Sequence, residues 1–287
     1  METFLISLQK TQTITLVAVL VVLFLWESIR PFYEFFRGSF PERGRHAIRN
    51  LVLGGLNTAL ISLVFIALWA WTSAWADENG VGVMHWLKDS FAIPIWGHAV
   101  GAIMLLDAWT YLWHRINHVL PFFWRFHRVH HSDKHMDVTT AGRFHVGEIL
   151  FSSLLRIPLI IILGIHLWEL VLYETMMFTV VQFHHANIGL PEKLDRALRA
   201  VIVTPAMHKI HHSRWRPETD SNYSALFSFW DRIGRSFRLS PDLQSLRLGL
   251  DDFDRDDHQT VRGMLKTPIV SGVREPPEKQ MNTTNGN

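Results

Sequence analysis

Cysteine is absent from the 287 residues, and charged residues are scarce at 19%. Without cysteine there can be no disulfide, no thiolate-ligated haem and no cysteine-held iron–sulfur cluster. Any metal must therefore be held by nitrogen or oxygen ligands. Because an average soluble domain has about 25% charged residues, the low value disfavours a purely soluble protein. The net charge of +2 gives no indication of nucleic-acid binding.

Apolar residues, in contrast, are abundant at 48% of the chain. A membrane-spanning helix needs about 20 of them in succession, and four regions qualify: 12–29, 50–72, 91–113 and 149–183. The last region is too long for one crossing and is predicted to be a hairpin of two helices. The mean hydropathy is only +0.10, so a substantial aqueous part is expected. We therefore predict an all-α fold, a polytopic membrane helical bundle with a cytoplasmic helical cap.

The charges of the loops predict the orientation. The loop between the first two spans holds five arginines: Arg30, Arg37, Arg43, Arg45 and Arg49. Positively charged loops stay on the cytoplasmic side, so 30–49 is predicted inside and the acidic segment 73–90 outside. The hairpin then brings two histidine-rich regions, 114–145 and 184–212, to the same cytoplasmic face.

The chain is predicted to have three parts. Residues 1–113 are the N-terminal membrane spans, 114–265 form the catalytic histidine-box region including the hairpin 149–183, and 266–287 form a disordered tail. The first apolar run lacks a small-residue cleavage pattern and is predicted to be a retained helix. We expect an integral protein of the bacterial inner membrane, or of the endoplasmic reticulum in a eukaryote.

Histidine is the anomalous residue type, with 17 copies. Residues at i, i+3 and i+4 lie on one helical face, and three boxes have this spacing: His114 with His118, His127 with His130 and His131, and His208 with His211 and His212. His185 supplies a ninth imidazole, and His184 is interpreted as its neighbour. Imidazole is a preferred ligand of iron and zinc. Since a four-coordinate zinc needs about four ligands, nine imidazoles predict a dimetal site in the cap.

Three further residues are candidates for catalytic roles: Asp107, His145 and Asn187. Asp107 shares a helical stripe with His114 and could orient its imidazole; the alternative is a polar residue that closes a membrane helix. His145 and His135 are predicted to support the centre or to line the substrate opening. The other histidines are interpreted as ordinary surface or packed residues: His46, His85, His98, His166 and His258.

In order and spacing, these residues resemble the fatty acid hydroxylase/sterol desaturase superfamily of membrane di-iron oxygenases. The matching motifs run from about Asp107 to Arg238 and include Phe126-His-Arg-Val-His-His-Ser132, His185-Ala-Asn-Ile and Pro205-x2-His208-Lys-Ile-His-His-Ser213. The segment Gly234-Arg-Ser-Phe237 departs from the usual pattern but lies outside the ligand set. The resemblance implies that the nine histidines bind two iron ions and that O2 is the co-substrate.

The predicted function is O2-dependent hydroxylation or desaturation of a sterol, fatty acyl or related lipid. An external electron donor of the cytochrome b5, ferredoxin or reductase type is expected. Zinc could replace iron in preparations, since the affinity order favours zinc over ferrous iron. Two alternatives are a zinc-dependent membrane hydrolase, which would use a metal-bound water, and a metal transporter, which would place its ligands within crossing spans.

Overall fold

The computed structural model describes residues 2–36 and 38–270, without the side chains of residues 2–5. Over these residues the chain is helical and has no strand, only the isolated bridges Ile202–Phe227 and Ser213–Leu248. The α-helices are α1 (Glu2–Ile29), α2 (Phe40–Leu60), α3 (Ile66–Asn79), α4 (Val83–Phe91), α5 (Ile95–Val119), α6 (Pro121–His131), α7 (Val146–Leu163), α8 (Leu167–His185), α9 (Glu192–Leu198), α10 (Pro205–His211), α11 (Arg216–Thr219), α12 (Phe229–Ile233) and α13 (Val261–Lys266). A π-helical turn (Ile61–Phe65) joins α2 to α3, and 3-10 turns lie at Val138–Gly142, Asp251–Phe253 and Thr267–Ile269. The predicted all-α class is confirmed.

Three stretches are long and apolar enough to cross a membrane: Ile6–Ile29, Phe40–Phe91 and Val146–Leu163. Their apolar side chains face outward; Leu63, for example, is 84% exposed. An apolar surface of this extent marks contact with lipid, so the chain is an integral membrane protein. Its orientation and the cytoplasmic position of the cap stay predictions.

The structure corrects the limits of two predicted spans. Helix α2 begins at Phe40, because Pro41 and Glu42 suit the first turn of a helix; the loop predicted at 30–49 is therefore only 30–39. The segment predicted as a span at 91–113 is α5, which continues to Val119 and so carries the first histidine box in its last two turns. Neither α5 nor α8 is among the three stretches that are long and apolar enough to cross a membrane, so these two crossings stay predictions. The apolar segment 149–183 consists of α7 and α8.

The turn between α7 and α8 is packed tightly against the turn between α3 and α4. Gly164 has φ +65°, a left-handed conformation that favours glycine. A Cβ atom added to Gly82 would lie 2.3 Å from the backbone nitrogen of Gly164, so the two backbones can meet only at glycine. Beyond this turn α8 packs against α1 and α5.

The guanidinium of Arg143 is buried and joins several segments behind the histidine cluster. It donates hydrogen bonds to the carbonyl oxygen of Val129, to Asn50 Oδ1, to Ser132 Oγ and to Gln259 Oε1. Helices α2 and α6 and the segment before α13 are thereby joined behind the histidine-bearing face of α6.

The ordered chain extends further than predicted at its C-terminal end. Thr267–Ile269 forms a 3-10 turn, and the Arg128 guanidinium donates to the carbonyl oxygens of Thr267 and Val270. The prediction of a disordered tail is therefore wrong for 266–270, while 271–287 lies outside the described residues. The division at 113/114 stays a prediction.

Candidate metal centre

All nine histidines predicted from the boxes meet in one buried cluster. Helix α5 contributes from its last turns, α6 from its C-terminal half, α8 from its last residue and α10 from one face, ending with His212 just after it. The histidines form two groups, and in each group one ligand atom per residue lies within 4.8 Å of the others. The first group is His114, His118, His127, His131 and His211, and the second is His130, His185, His208 and His212. Each group combines boxes from distant parts of the sequence.

Several of the Nε2 atoms converge at a short and uniform spacing. The Nε2 of His114 lies 3.1 Å from the Nε2 atoms of His127 and His211. The Nε2 of His185 lies 3.0 Å from that of His208. Two nitrogen ligands at right angles, each about 2.1 Å from a metal, would be about 3.0 Å apart, whereas a tetrahedral pair would be about 3.4 Å apart. The spacing therefore allows both nitrogens of each pair to bind the same metal ion.

The opposite ring nitrogens fix the tautomers of these side chains. The Nδ1 of His114 donates to the carbonyl oxygen of Tyr223 at 2.7 Å, and the Nδ1 of His211 donates to that of Ser221 at 2.6 Å. A neutral imidazole carries only one ring proton, so both Nε2 atoms carry lone pairs. Two lone pairs that face each other at 3.1 Å repel unless a cation lies between them.

Burial keeps these imidazoles neutral. It lowers the pKa of His114 to about 3, with a further contribution from His127. Burial likewise holds the pKa values of His208 and His211 well below the ordinary range. Because metal binding requires an unprotonated ring nitrogen, the cluster is ready to bind a cation at neutral pH. The residues present therefore fit a dimetal centre.

Two carboxylates lie behind the histidines, and sequence reasoning missed both. Glu148 Oε1 accepts a hydrogen bond from the Nδ1 of His127 at 2.8 Å. Asp220 Oδ1 lies 3.4 Å from the Nδ1 of His118. A carboxylate in this position orients a ligand imidazole and raises its basicity. For Glu148, the available signal was an acidic residue at the start of an apolar helix.

Asp107 does not contact the imidazoles. Its carboxylate accepts hydrogen bonds from the Tyr173 hydroxyl, the Phe227 amide and the Trp230 indole. It thereby connects α5 to α8 and to α12. The expected contact with His114 is not formed, because these three donors already occupy the carboxylate; a catalytic role for Asp107 stays a prediction.

His145 and Asn187 also make their hydrogen bonds outside the nine-histidine cluster. The Nδ1 of His145 accepts from the Gly147 amide and caps α7, while its Nε2 lies 3.2 Å from the carbonyl oxygen of Leu265. Asn187 exchanges hydrogen bonds of 2.9 and 2.8 Å with the backbone of Tyr33. Both residues fix neighbouring segments, and their catalytic roles likewise stay predictions.

Three of the histidines interpreted as ordinary, His46, His98 and His166, are in fact built into two polar networks. His46 is buried and lies 2.9 Å from Asp133 Oδ1 and 3.2 Å from Asp137 Oδ2. His98 and His166 form a third group of potential metal ligands with a glutamate on α8. Sequence reasoning missed both networks because the carboxylates that contact these histidines, such as Asp133 and Glu169, are far from them along the chain.

A cavity of about 720 Å³ opens onto the cluster. Five of the nine histidines line it: His114, His127, His130, His185 and His208. Its other walls are mostly apolar and come from α1, α3, α5, α7 and α8, with Trp69, Leu170 and Met177 among them. The ion pair of Arg156 and Glu174 also lines it.

Comparison with known proteins gives a family match over the part of the chain that carries the cluster. The fatty acid hydroxylase family model matches residues 99–236. This range includes all nine histidines of the cluster together with Glu148 and Asp220. Among solved structures, none matches the chain significantly.

Curated relatives match about half of the chain. An ornithine lipid hydroxylase from Rhizobium tropici is 28% identical over 161 residues, 55% of this chain and 46% of the relative. An alkylglycerol monooxygenase from Homo sapiens is 30% identical over 141 residues, 47% of this chain and 29% of the relative. A cholesterol 25-hydroxylase from Rattus norvegicus is 22% identical over 179 residues, 59% of each chain. This chain therefore covers less than two thirds of the length of each of these relatives.

Proposed function

Because residues 99–236 match the fatty acid hydroxylase family, we propose that this chain is an O2-dependent membrane lipid hydroxylase with a di-iron centre. The nine histidines of the two groups are the proposed ligands. The observation that carries the proposal is the convergence of lone-pair-bearing Nε2 atoms beside a mostly apolar cavity. The relatives described above are named as hydroxylases and a monooxygenase, so the zinc-hydrolase alternative finds no support.

The chemistry that two iron ions supply when bound is the use of O2 to oxidise an unactivated C–H bond. The residues of the chain hold and position the reactants. Glu148 and the carbonyl oxygens of Tyr223 and Ser221 fix the ring orientation of three proposed ligands. The ring of Phe144 stacks on the ring of His130 at 4.3 Å and places an apolar side chain beside the second group.

The cavity supports a lipid as the substrate, since apolar walls with a few polar groups are typical of small-molecule sites. Arg156 lies eight residues, or about 12 Å along α7, from Glu148. The ion pair that it forms with Glu174 can hydrogen-bond a hydroxyl, carbonyl or phosphate group. A lipid with such a group would fit the cavity with that group beside Arg156 and Glu174.

The proposal also includes an electron donor and the side of the membrane on which the centre lies. An external protein of the cytochrome b5, ferredoxin or reductase type supplies the electrons. The centre faces the cytoplasm, which Arg30 at the start of the loop and Arg43, Arg45 and Arg49 in the first three turns of α2 support through the positive-inside rule.

The proposal is tested by lipid mass spectrometry of cells that express the full chain, grown with 16O2 or 18O2. A lipid that gains one oxygen atom, with the heavy isotope in 18O2, is expected. His130→Ala should abolish this product, and His258→Gln, outside both groups, should retain it. Loss of two hydrogens without label would indicate desaturation, and a cleaved lipid that forms without O2 would refute an oxygenase.

A further inference from the structure

Helices α1 and α2 are joined near one end of the bundle and separated by the cavity further along. The Arg43 guanidinium, in the first turn of α2, donates to Glu27 Oε1 at 3.0 Å near the end of α1. Thr13 lies fourteen residues before Glu27, and Thr58 lies fifteen residues after Arg43. Both are therefore about 20 Å from this contact along their helices. Each of them lines the cavity of about 720 Å³, so the cavity lies between α1 and α2 at this level.

The cavity is open to the surface of the molecule at this level. Four residues that line it are also exposed: Thr13 and Val17 on α1, Thr58 on α2 and Ser62 in the π-helical turn. Thr13 and Val17 are four residues apart and share one helical face. Three of the four side chains are small, so little bulk stands between the cavity and its surroundings. We call the opening bounded by these four residues the lateral mouth.

The lateral mouth faces lipid. Its residues belong to two of the three stretches that are long and apolar enough to cross a membrane. Beside it, Ile14 and Leu63 turn apolar side chains outward. The hydroxyls of Thr13 and Thr58 donate to carbonyl oxygens one turn earlier in their own helices, so neither needs water as a partner. A point about 20 Å along a spanning helix lies within a hydrocarbon core that is about 30 Å thick.

The π-helical turn Ile61–Phe65 forms the wall of the mouth on the side of α2. Within it, Ser62 lines the cavity, Leu63 is exposed and Phe65 is buried. Turns of this kind inside α-helices are rare and occur frequently at functional sites. Adjacent residues of one turn face the cavity and the lipid, and they supply a matched pair for experiment.

We propose that the lateral mouth is the entrance through which the hydrocarbon chain of a bilayer lipid passes sideways into the cavity. The inference rests on the proposed function, since it concerns the route of its substrate. His130, His185 and His208 line the same cavity, so a chain that passes the mouth reaches the proposed ligands. This route takes the chain from one mostly apolar environment to another, whereas a route through water would expose each CH2 group at a cost in free energy.

The absence of cysteine allows the mouth to be blocked selectively, because a thiol introduced at Ser62 is the only one in the chain. Full-length, iron-loaded Ser62→Cys protein is labelled in detergent with pyrenylmaleimide and returned to lipid vesicles. Its yield of hydroxylated lipid should fall well below that of the same protein without label, at equal iron content. Leu63→Cys is the matched control, and its yield should be the same with and without label. Equal yields in labelled and unlabelled Ser62→Cys, or equal losses in both variants, would overturn the entrance.

Photo-cross-linking tests the entrance without turnover. Vesicles that contain a phosphatidylcholine with a diazirine in its acyl chain are irradiated without O2, and adducts are mapped by mass spectrometry of peptides. The wild-type protein should carry adducts on Met177, which lines the cavity, and labelled Ser62→Cys should lose them, while adducts on the exposed Leu154 stay equal. Met177 adducts that persist behind the label, or that never form, would overturn the proposal. If they form and respond to the label while no sample makes an oxygenated lipid, the entrance stands and the proposed function fails.

Discussion

Glu148 Oε1 accepts a hydrogen bond from the Nδ1 of His127 at 2.8 Å, between the first turn of α7 and the middle of α6. The contact fixes the His127 tautomer so that its Nε2 lone pair points at the Nε2 of His114, 3.1 Å away. The apolar helix α7 thus contributes to the centre although it carries none of the nine histidines.

Replacing Glu148 by Gln should lower iron affinity or turnover by roughly 10–100-fold, because a neutral amide no longer raises the basicity of His127. Glu192→Gln is the matched control, since Glu192 is exposed and lies on α9. Iron content and the yield of hydroxylated lipid are measured on both variants. Unchanged values in Glu148→Gln would show that the carboxylate has no influence on the centre.

Removal of the metals should destabilise the protein, because the facing lone pairs of His114 and His211 would then repel. A ligand present at 1,000 times its dissociation constant stabilises the folded state by about 4.1 kcal/mol. Thermal unfolding in detergent should therefore shift to lower temperature after chelation and recover on addition of Fe²⁺. The His130→Ala variant should show a smaller shift. If the unfolding temperature is the same before and after chelation, the histidine cluster does not contain a metal that stabilises the protein.

Asp107→Asn should reduce stability by about 1–3 kcal/mol while the iron content stays unchanged. The NH2 group of Asn cannot accept a hydrogen bond: at the Oδ2 position it would face the Phe227 amide and the Trp230 indole, and at the Oδ1 position it would lose the bond that the Tyr173 hydroxyl donates. Denaturant unfolding and metal analysis are measured on the same sample. If iron is lost while stability holds, Asp107 acts on a ligand imidazole as the helical stripe predicts.

Met177→Trp should lower turnover without loss of iron, since Met177 lines the cavity and a larger ring would narrow it. Leu154→Trp is the control, because Leu154 is 46% exposed on the outer face of α7. Turnover and iron content are compared for the two variants. Equal turnover would show that the substrate does not pass Met177.

Removing both charges of the cavity ion pair should weaken the binding of lipids that carry a polar group at that depth. In Arg156→Met combined with Glu174→Met, neither charge is left unpaired. KM should rise about tenfold, a loss of about 1.4 kcal/mol, while iron content stays constant. A fall in kcat alone would assign the pair a role other than substrate binding.

The sequence predicts the ligands because each box is a local pattern. His127, His130 and His131 lie on one face of α6 by helical spacing alone. The absence of cysteine leaves nitrogen and oxygen as donors, and the long apolar runs by themselves indicate a membrane protein.

The helix limits and the supporting residues are less accessible to sequence reasoning. From the sequence, the third apolar segment is predicted to end at residue 113, before His114, although α5 continues without a break to Val119. The sequence leaves two roles open for Asp107, orienting an imidazole on the same stripe or closing a membrane helix, because a stripe gives no information on the competing donors from α8 and α12.

The sequence by itself determined which side chains can bind metal and which segments can enter a membrane, because spacing and hydropathy act within one helix. Only the tertiary structure decided how the boxes divide into two groups, that Glu148 stands behind His127, and that His98 contacts Glu169. These contacts join residues far apart in the chain, and their geometry depends on how whole helices pack against one another.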